Sequence, residues 1–126
     1  MKSPQDAEET FARAEAARDQ GRLEDAARLF GRSAANWGAT GEAFLATDAY
    51  FELGAILLLQ GRGRLLPDLA DRLLELLKNG PPPGSQAKLR IFAALMRQGA
   101  ANPGAFFCLV HEQRRHRMAQ RSRRSS

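Results

Sequence analysis

A Gln-Gly pair recurs along this chain at positions 20–21, 60–61 and 98–99, at intervals of 40 and 38 residues. The residues ahead of each pair repeat as well. Nine positions before each Gln stand Phe11, Phe51 and Leu89; six before, Ala14, Gly54 and Phe92; three before, Ala17, Leu57 and Leu95. A face repeating at a spacing of three, mostly apolar and with a small residue at two of the three middle positions, describes one side of a helix that a neighbouring helix approaches closely. A unit of about 40 residues used three times implies stacked helical hairpins, because one hairpin cannot bury its apolar face alone.

Composition agrees with helices. Ala (22) and Leu (17) dominate, whereas Val, Ile and Thr together number six. Strands favour β-branched side chains, so a sheet has little to be built from. At 126 residues and 44% hydrophobic, the chain suits one compact domain rather than a disordered segment. The longest apolar run, Gly54 to Leu59, is far below the roughly 20 residues of a membrane-spanning helix. The polar start at Met1–Asp6 has no apolar signal stretch, and the single Cys108 fits a reducing compartment. A cytoplasmic location is expected, and the Arg and Ala bias suits GC-rich bacterial coding.

Punctuation by Gly and Pro places six helices. Helix 1 is expected from Ser3-Pro4-Gln5-Asp6, with Ser3 as cap, to Gln20; helix 2 from Leu23 to Trp37; helix 3 from after Thr40 to Gln60. Helix 4 is expected from Leu66-Pro67-Asp68 to a left-handed stop at Asn79-Gly80, helix 5 from after Ser85 to Gln98, and helix 6 from the strong Asn102-Pro103 start into the C-terminal tail. In helix 3, Phe44, Thr47, Phe51, Gly54 and Leu58 form the expected inward stripe. The fold class is therefore all-α: three antiparallel helical hairpins (six helices) stacked as a short α-solenoid over residues 1–110, with a basic C-terminal tail at 111–126.

Residues 14–30 join a small residue in a first helix to a turn Gly and then to Ala26 and Phe30, four apart in a second helix. Residues 50–62 add a Leu53-Gly54 pair ahead of the same turn. In these features residues 8–62 resemble a tetratricopeptide-repeat protein. Beyond them Gly63 and Pro67 displace the Ala of the second hairpin, and Phe92 fills the small position of the third. The resemblance implies a non-catalytic scaffold or adaptor without cofactors, binding a peptide or helix of another protein in a groove lined by helices 1, 3 and 5. The family's geometry places Tyr50, Glu52, Arg90 and Arg97 among the groove contacts.

Other residues offer little catalytic chemistry. His111 and His116 are five apart, about 140° around a helix, so they do not share a face as metal ligands four apart do. Cys108 lies in an apolar stretch without a nearby base and reads as a packed thiol. Trp37 reads as a plug between hairpins or as an exposed anchor. Charged residues of helix 1, including Glu15 and Arg18, read as the wet face of a terminal helix.

The net charge of +5 resides entirely in the tail. Residues 1–110 hold 13 acidic and 13 basic residues, whereas 111–126 holds six Arg against Glu112. Arg114, Arg115, Arg117, Arg121, Arg123 and Arg124 could neutralise phosphates or an acidic partner, although no aromatic residues interleave with them for base stacking. A small nucleic-acid-associated protein is thus the alternative, and end-to-end self-assembly of an uncapped array, giving a homo-oligomer, is a third reading.

Overall fold

The computed structural model describes residues 4–79 and 81–125. The chain is all-α, and no strand occurs among those residues. Its helices are α1 (Pro4–Asp19), α2 (Leu23–Ala39), α3 (Ala43–Leu59), α4 (Leu66–Glu75), α5 (Pro83–Arg97) and α6 (Pro103–Ser125), with 3₁₀ turns at Gly63–Leu65 and Leu76–Asn79. Consecutive helices pack as antiparallel hairpins, α1 on α2, α2 on α3 and α4 on α5, in a short α-solenoid. The basic helix α6 lies chiefly along α3. The expected Ser3 cap and the left-handed stop at Gly80 lie outside the described residues. Among the described residues, no helix is long and apolar enough to cross a membrane.

The first two Gln-Gly turns have one construction. At Gly21 (φ 78°) and Gly61 (φ 72°) the backbone enters the left-handed region, where a Cβ is strained. The next residue donates its N–H to the carbonyl five residues back, Arg22 to Ala17 at 2.9 Å and Arg62 to Leu57 at 2.7 Å, which closes the helix in a Schellman motif. Thr40-Gly41 ends α2 in the same way, with Glu42 donating to Trp37 at 2.8 Å. The third Gln-Gly differs. Gly99 does not share the positive φ; a Cβ there would meet a Leu66 methyl at 2.5 Å and the Phe106 ring at 2.9 Å. Its glycine provides room for α4 and α6 to approach.

The core runs through the stack as an aromatic line. Phe11 of α1 packs against Phe30 and Trp37 of α2 with centroids 5.2 and 5.3 Å apart, and Phe51 of α3 stacks on Phe106 of α6 at 5.3 Å. Trp37 is therefore an inward plug. Buried hydroxyls are satisfied locally or across helices, as where Ser33 donates to the Ala7 carbonyl at 2.8 Å.

Two sequence expectations need correction here. Phe44 is 41% exposed rather than inward, because α3 is enclosed on several sides further along and its buried residues run nearly all round the helix. Cys108 is exposed, because the buried stripe of α6 follows Phe106 and Val110 instead. In addition, α5 begins at Pro83, three residues ahead of the expected start after Ser85, with Pro in its first turn. The Asn102 cap forms as read: its Oδ1 accepts the Ala105 N–H at 3.4 Å.

Gly54 lets α6 approach α3 closely. A Cβ at Gly54 would lie 2.9 Å from the Phe106 ring and 3.1 Å from the Met96 sulfur, whereas one at Gly84 in α5 meets nothing within 4 Å. Gly54→Ala is expected to destabilise the fold by about 1–2 kcal/mol, overpacking outweighing the helix preference for Ala. Gly84→Ala is expected to be neutral or stabilising by up to about 1 kcal/mol. Urea midpoints should rank Gly84→Ala at or above wild type, with Gly54→Ala well below both; a Gly54→Ala midpoint at the wild-type value contradicts this packing.

Candidate functional site: a buried carboxylate beneath three arginines

Glu52 sits in the middle of the most apolar helix of the chain and is 0% exposed. A carboxylate in such a place must be ionised with partners or pushed to its neutral form. Three guanidinium groups surround it. Arg114 is bidentate, its Nε and Nη2 each donating to a Glu52 oxygen at 2.7 Å. Arg117 Nη2 donates to Oε2 at 2.7 Å, and Arg18 Nη1 stands 3.1 Å from Oε1. Burial works to raise the Glu52 pKa, but the hydrogen bonds from Arg114 and the charges of Arg114, Arg18 and Arg117 outweigh it and hold the carboxyl below its ordinary value. Reciprocally, the hydrogen bond to Glu52 leads in raising the Arg114 guanidinium above its usual range.

Three helices supply this arrangement, each through side chains three or four apart on one face. From α1 come Phe11, Glu15 and Arg18; from α3, Asp48 and Glu52; from α6, Arg114, Arg117 and Arg121. Arg117 lies over the Phe11 ring, 5.1 Å from its centroid, and its Nη1 is 3.8 Å from Asp48. Arg121 donates to Glu15 at 3.1 Å. Arg114 meets Glu52 while Arg117 reaches back to Asp48, so α6 runs antiparallel to α3, across the face where a first-helix groove is expected.

The expected groove contacts do not converge. Glu52 alone lies under α6. Tyr50 is buried on the other side of α3, where it lines a shallow cleft with Asp71 and Arg72 of α4. Arg97 reaches from α5 to pair with Asp71, and Arg90 is exposed. The arginines of the tail also divide. Arg114, Arg117 and Arg121 face the body; Arg115 pairs with Glu112 on the exposed side; Arg123 is exposed; Arg124 falls in the last turn of α6. His116 shares a hydrogen bond of 3.1 Å with Gln120.

Glu15 and Arg18 correct the reading of helix 1 as a wet face. Their side chains are 19% and 17% exposed and both are paired, because α6 covers them. Asp48, Arg18 and Phe11 are members of the site that sequence reasoning passed over. Two signals pointed to it: acids at 48 and 52, four apart in the otherwise apolar α3, and arginines at 114, 117 and 121 with helical spacing.

Asp48 behaves oppositely to Glu52. Burial pushes its carboxyl up to about 6, with Glu52's charge adding to the shift and Arg117 and His116 opposing it. A carboxyl whose pKa is higher folded than unfolded binds its proton more tightly in the native state, so its contribution to stability grows as pH falls through about 6. Glu52, shifted down, contributes above its ordinary pKa and loses that contribution in stronger acid. The wild type is therefore expected to gain about 1 kcal/mol between pH 7 and pH 5 relative to Asp48→Asn, which lacks this titration. Parallel pH profiles of urea stability for the two proteins would contradict the assignment.

No protein-family model, curated protein or solved structure matches this chain.

Proposed function

We propose that this chain is a non-catalytic scaffold, a divergent tetratricopeptide-like repeat, that binds a helix or peptide segment of another protein on the face built by α1 and α3. One observation carries this reading: that face already holds a helix, the chain's own α6, through a buried ion-pair network. A surface that orders a guanidinium row by bidentate and aromatic contacts has the chemistry of recognition, with geometric specificity beyond simple charge attraction. The alternative reading, nucleic-acid binding by the tail, is weakened by the same contacts, since Arg114 and Arg117 spend their charge on Glu52. Phosphate binding in that role needs those groups outward.

The test is capture from cell lysate on the immobilised full-length protein, with and without nuclease, at about 0.15 M salt where distant charges are screened. Three proteins are compared: wild type, Glu15→Lys on the proposed face, and Glu24→Lys on exposed α2. One protein partner is expected to be retained by wild type and Glu24→Lys regardless of nuclease and to be lost on Glu15→Lys. Capture that vanishes with nuclease assigns the function to nucleic acid, and equal capture by all three proteins removes the face from binding.

A further inference from the structure

Building on the scaffold reading, we propose that the α1/α3 face receives a partner helix carrying arginines at positions i, i+3 and i+7, and that the C-terminal half of α6 occupies the same seat in cis as its competitor. The seat has one receptor for each arginine. Glu52 takes the first by a bidentate pair. The second lies between Glu52, Asp48 and the Phe11 ring. Glu15 takes the third. Spacings of three and four put all three guanidinium groups on one side of a helix, and a planar fork matched to a carboxylate and a ring is satisfied by Arg better than by Lys.

The two halves of α6 are held differently. The first half is core: Phe106 and Val110 are 3% and 2% exposed, and Phe106 fills the space at Gly54. From Arg114 onward the helix brings almost no apolar surface, for Met118 is 65% exposed and His116, Ala119, Gln120 and Ser122 are exposed as well. This half is seated by ion pairs and the contact of Arg117 with the Phe11 ring rather than by apolar side chains of its own, so it can leave without opening the core. Nor is the seat fully matched. Nε and Nη1 of Arg117 are buried without a hydrogen-bond partner, so an incoming helix of better register starts from an occupant with donors unpaired. A segment tethered in cis acts at an effective concentration on the order of millimolar, which sets how strongly it masks the face. Weakening the tether's own contacts must therefore strengthen binding in trans.

The experiment uses full-length protein and a fluorescent peptide with the sequence of residues 112–126, followed by anisotropy in low salt. Wild type is compared with Arg117→Gln, which leaves Glu52 paired to Arg18 and Arg114. The peptide is expected to bind Arg117→Gln at least about tenfold more tightly than wild type, in proportion to the masking relieved. A peptide with Gln at the positions of Arg114, Arg117 and Arg121 is expected not to bind. Should Arg117→Gln lose its helical circular dichroism, Arg121→Gln, altered at the rim of the network, replaces it with the same expectation. Equal affinity for wild type and variant, or no binding to either, overturns the proposal; a concentration-dependent dimer unaffected by peptide assigns the seat to a second copy and overturns it too. Failure here with capture still sensitive to Glu15→Lys removes only the arginine rule, whereas loss of that sensitivity removes the scaffold reading itself.

Discussion

The Glu52 carboxylate organises this molecule. Moving an ionised carboxyl out of water costs several kcal/mol, and only well-placed opposite charges with hydrogen bonds offset it. In this fold the offset comes from one arginine of α1 and two of α6, so the charge is satisfied only when the first and last helices both lie against α3. Gly54 stands two residues away and admits the Phe106 ring. Packing at Gly54 fixes the first half of α6, and charge at Glu52 fixes the second. Together they set the path of that helix across the face.

This changes what the high pI of 10.3 means. The tail holds the whole charge excess, yet three of its arginines pair with acids of the body, Arg114 and Arg117 beneath the surface and Arg121 at its edge. Its basic character is in large part the complement of an internal acidic face. The Asp48 carboxyl sits at the edge of that face, and its upward shift makes the contact between α6 and the body responsive to mild acid. Architecture and charge distribution thus belong to one device, a helix held by the face that would otherwise be open.

Much of the architecture is legible in the sequence because it is local. Helix ends at Gly21 and Gly61, the Asn102 cap and the small residues ahead of the first two turns depend on neighbours within one or two helical turns. The third Gln-Gly shows where local reading stops: Gly99 looks like its two counterparts, but space for Leu66 and Phe106 demands it, not a left-handed turn. The site itself is long-range. Arg114 and Glu52 are 62 residues apart, Arg117 and Glu52 65, and Arg121 and Glu15 106. Spacing shows that arginines share a face of α6 but not which acids that face meets. Glu52 enters the expected groove by family resemblance, whereas Arg18, Glu15 and Asp48 become visible only when α6 is laid across α1 and α3.

Hydrogen exchange on the wild-type protein at neutral pH tests the central claim most directly, through the amides of residues 114–123. An isolated, solvated helix end of this length frays and exchanges close to the unprotected rate. A helix seated by Glu52, Asp48 and Glu15 predicts protection of those amides approaching that of the core amides of α3. Exchange across 114–123 at the unprotected rate, with α3 still protected, would contradict it.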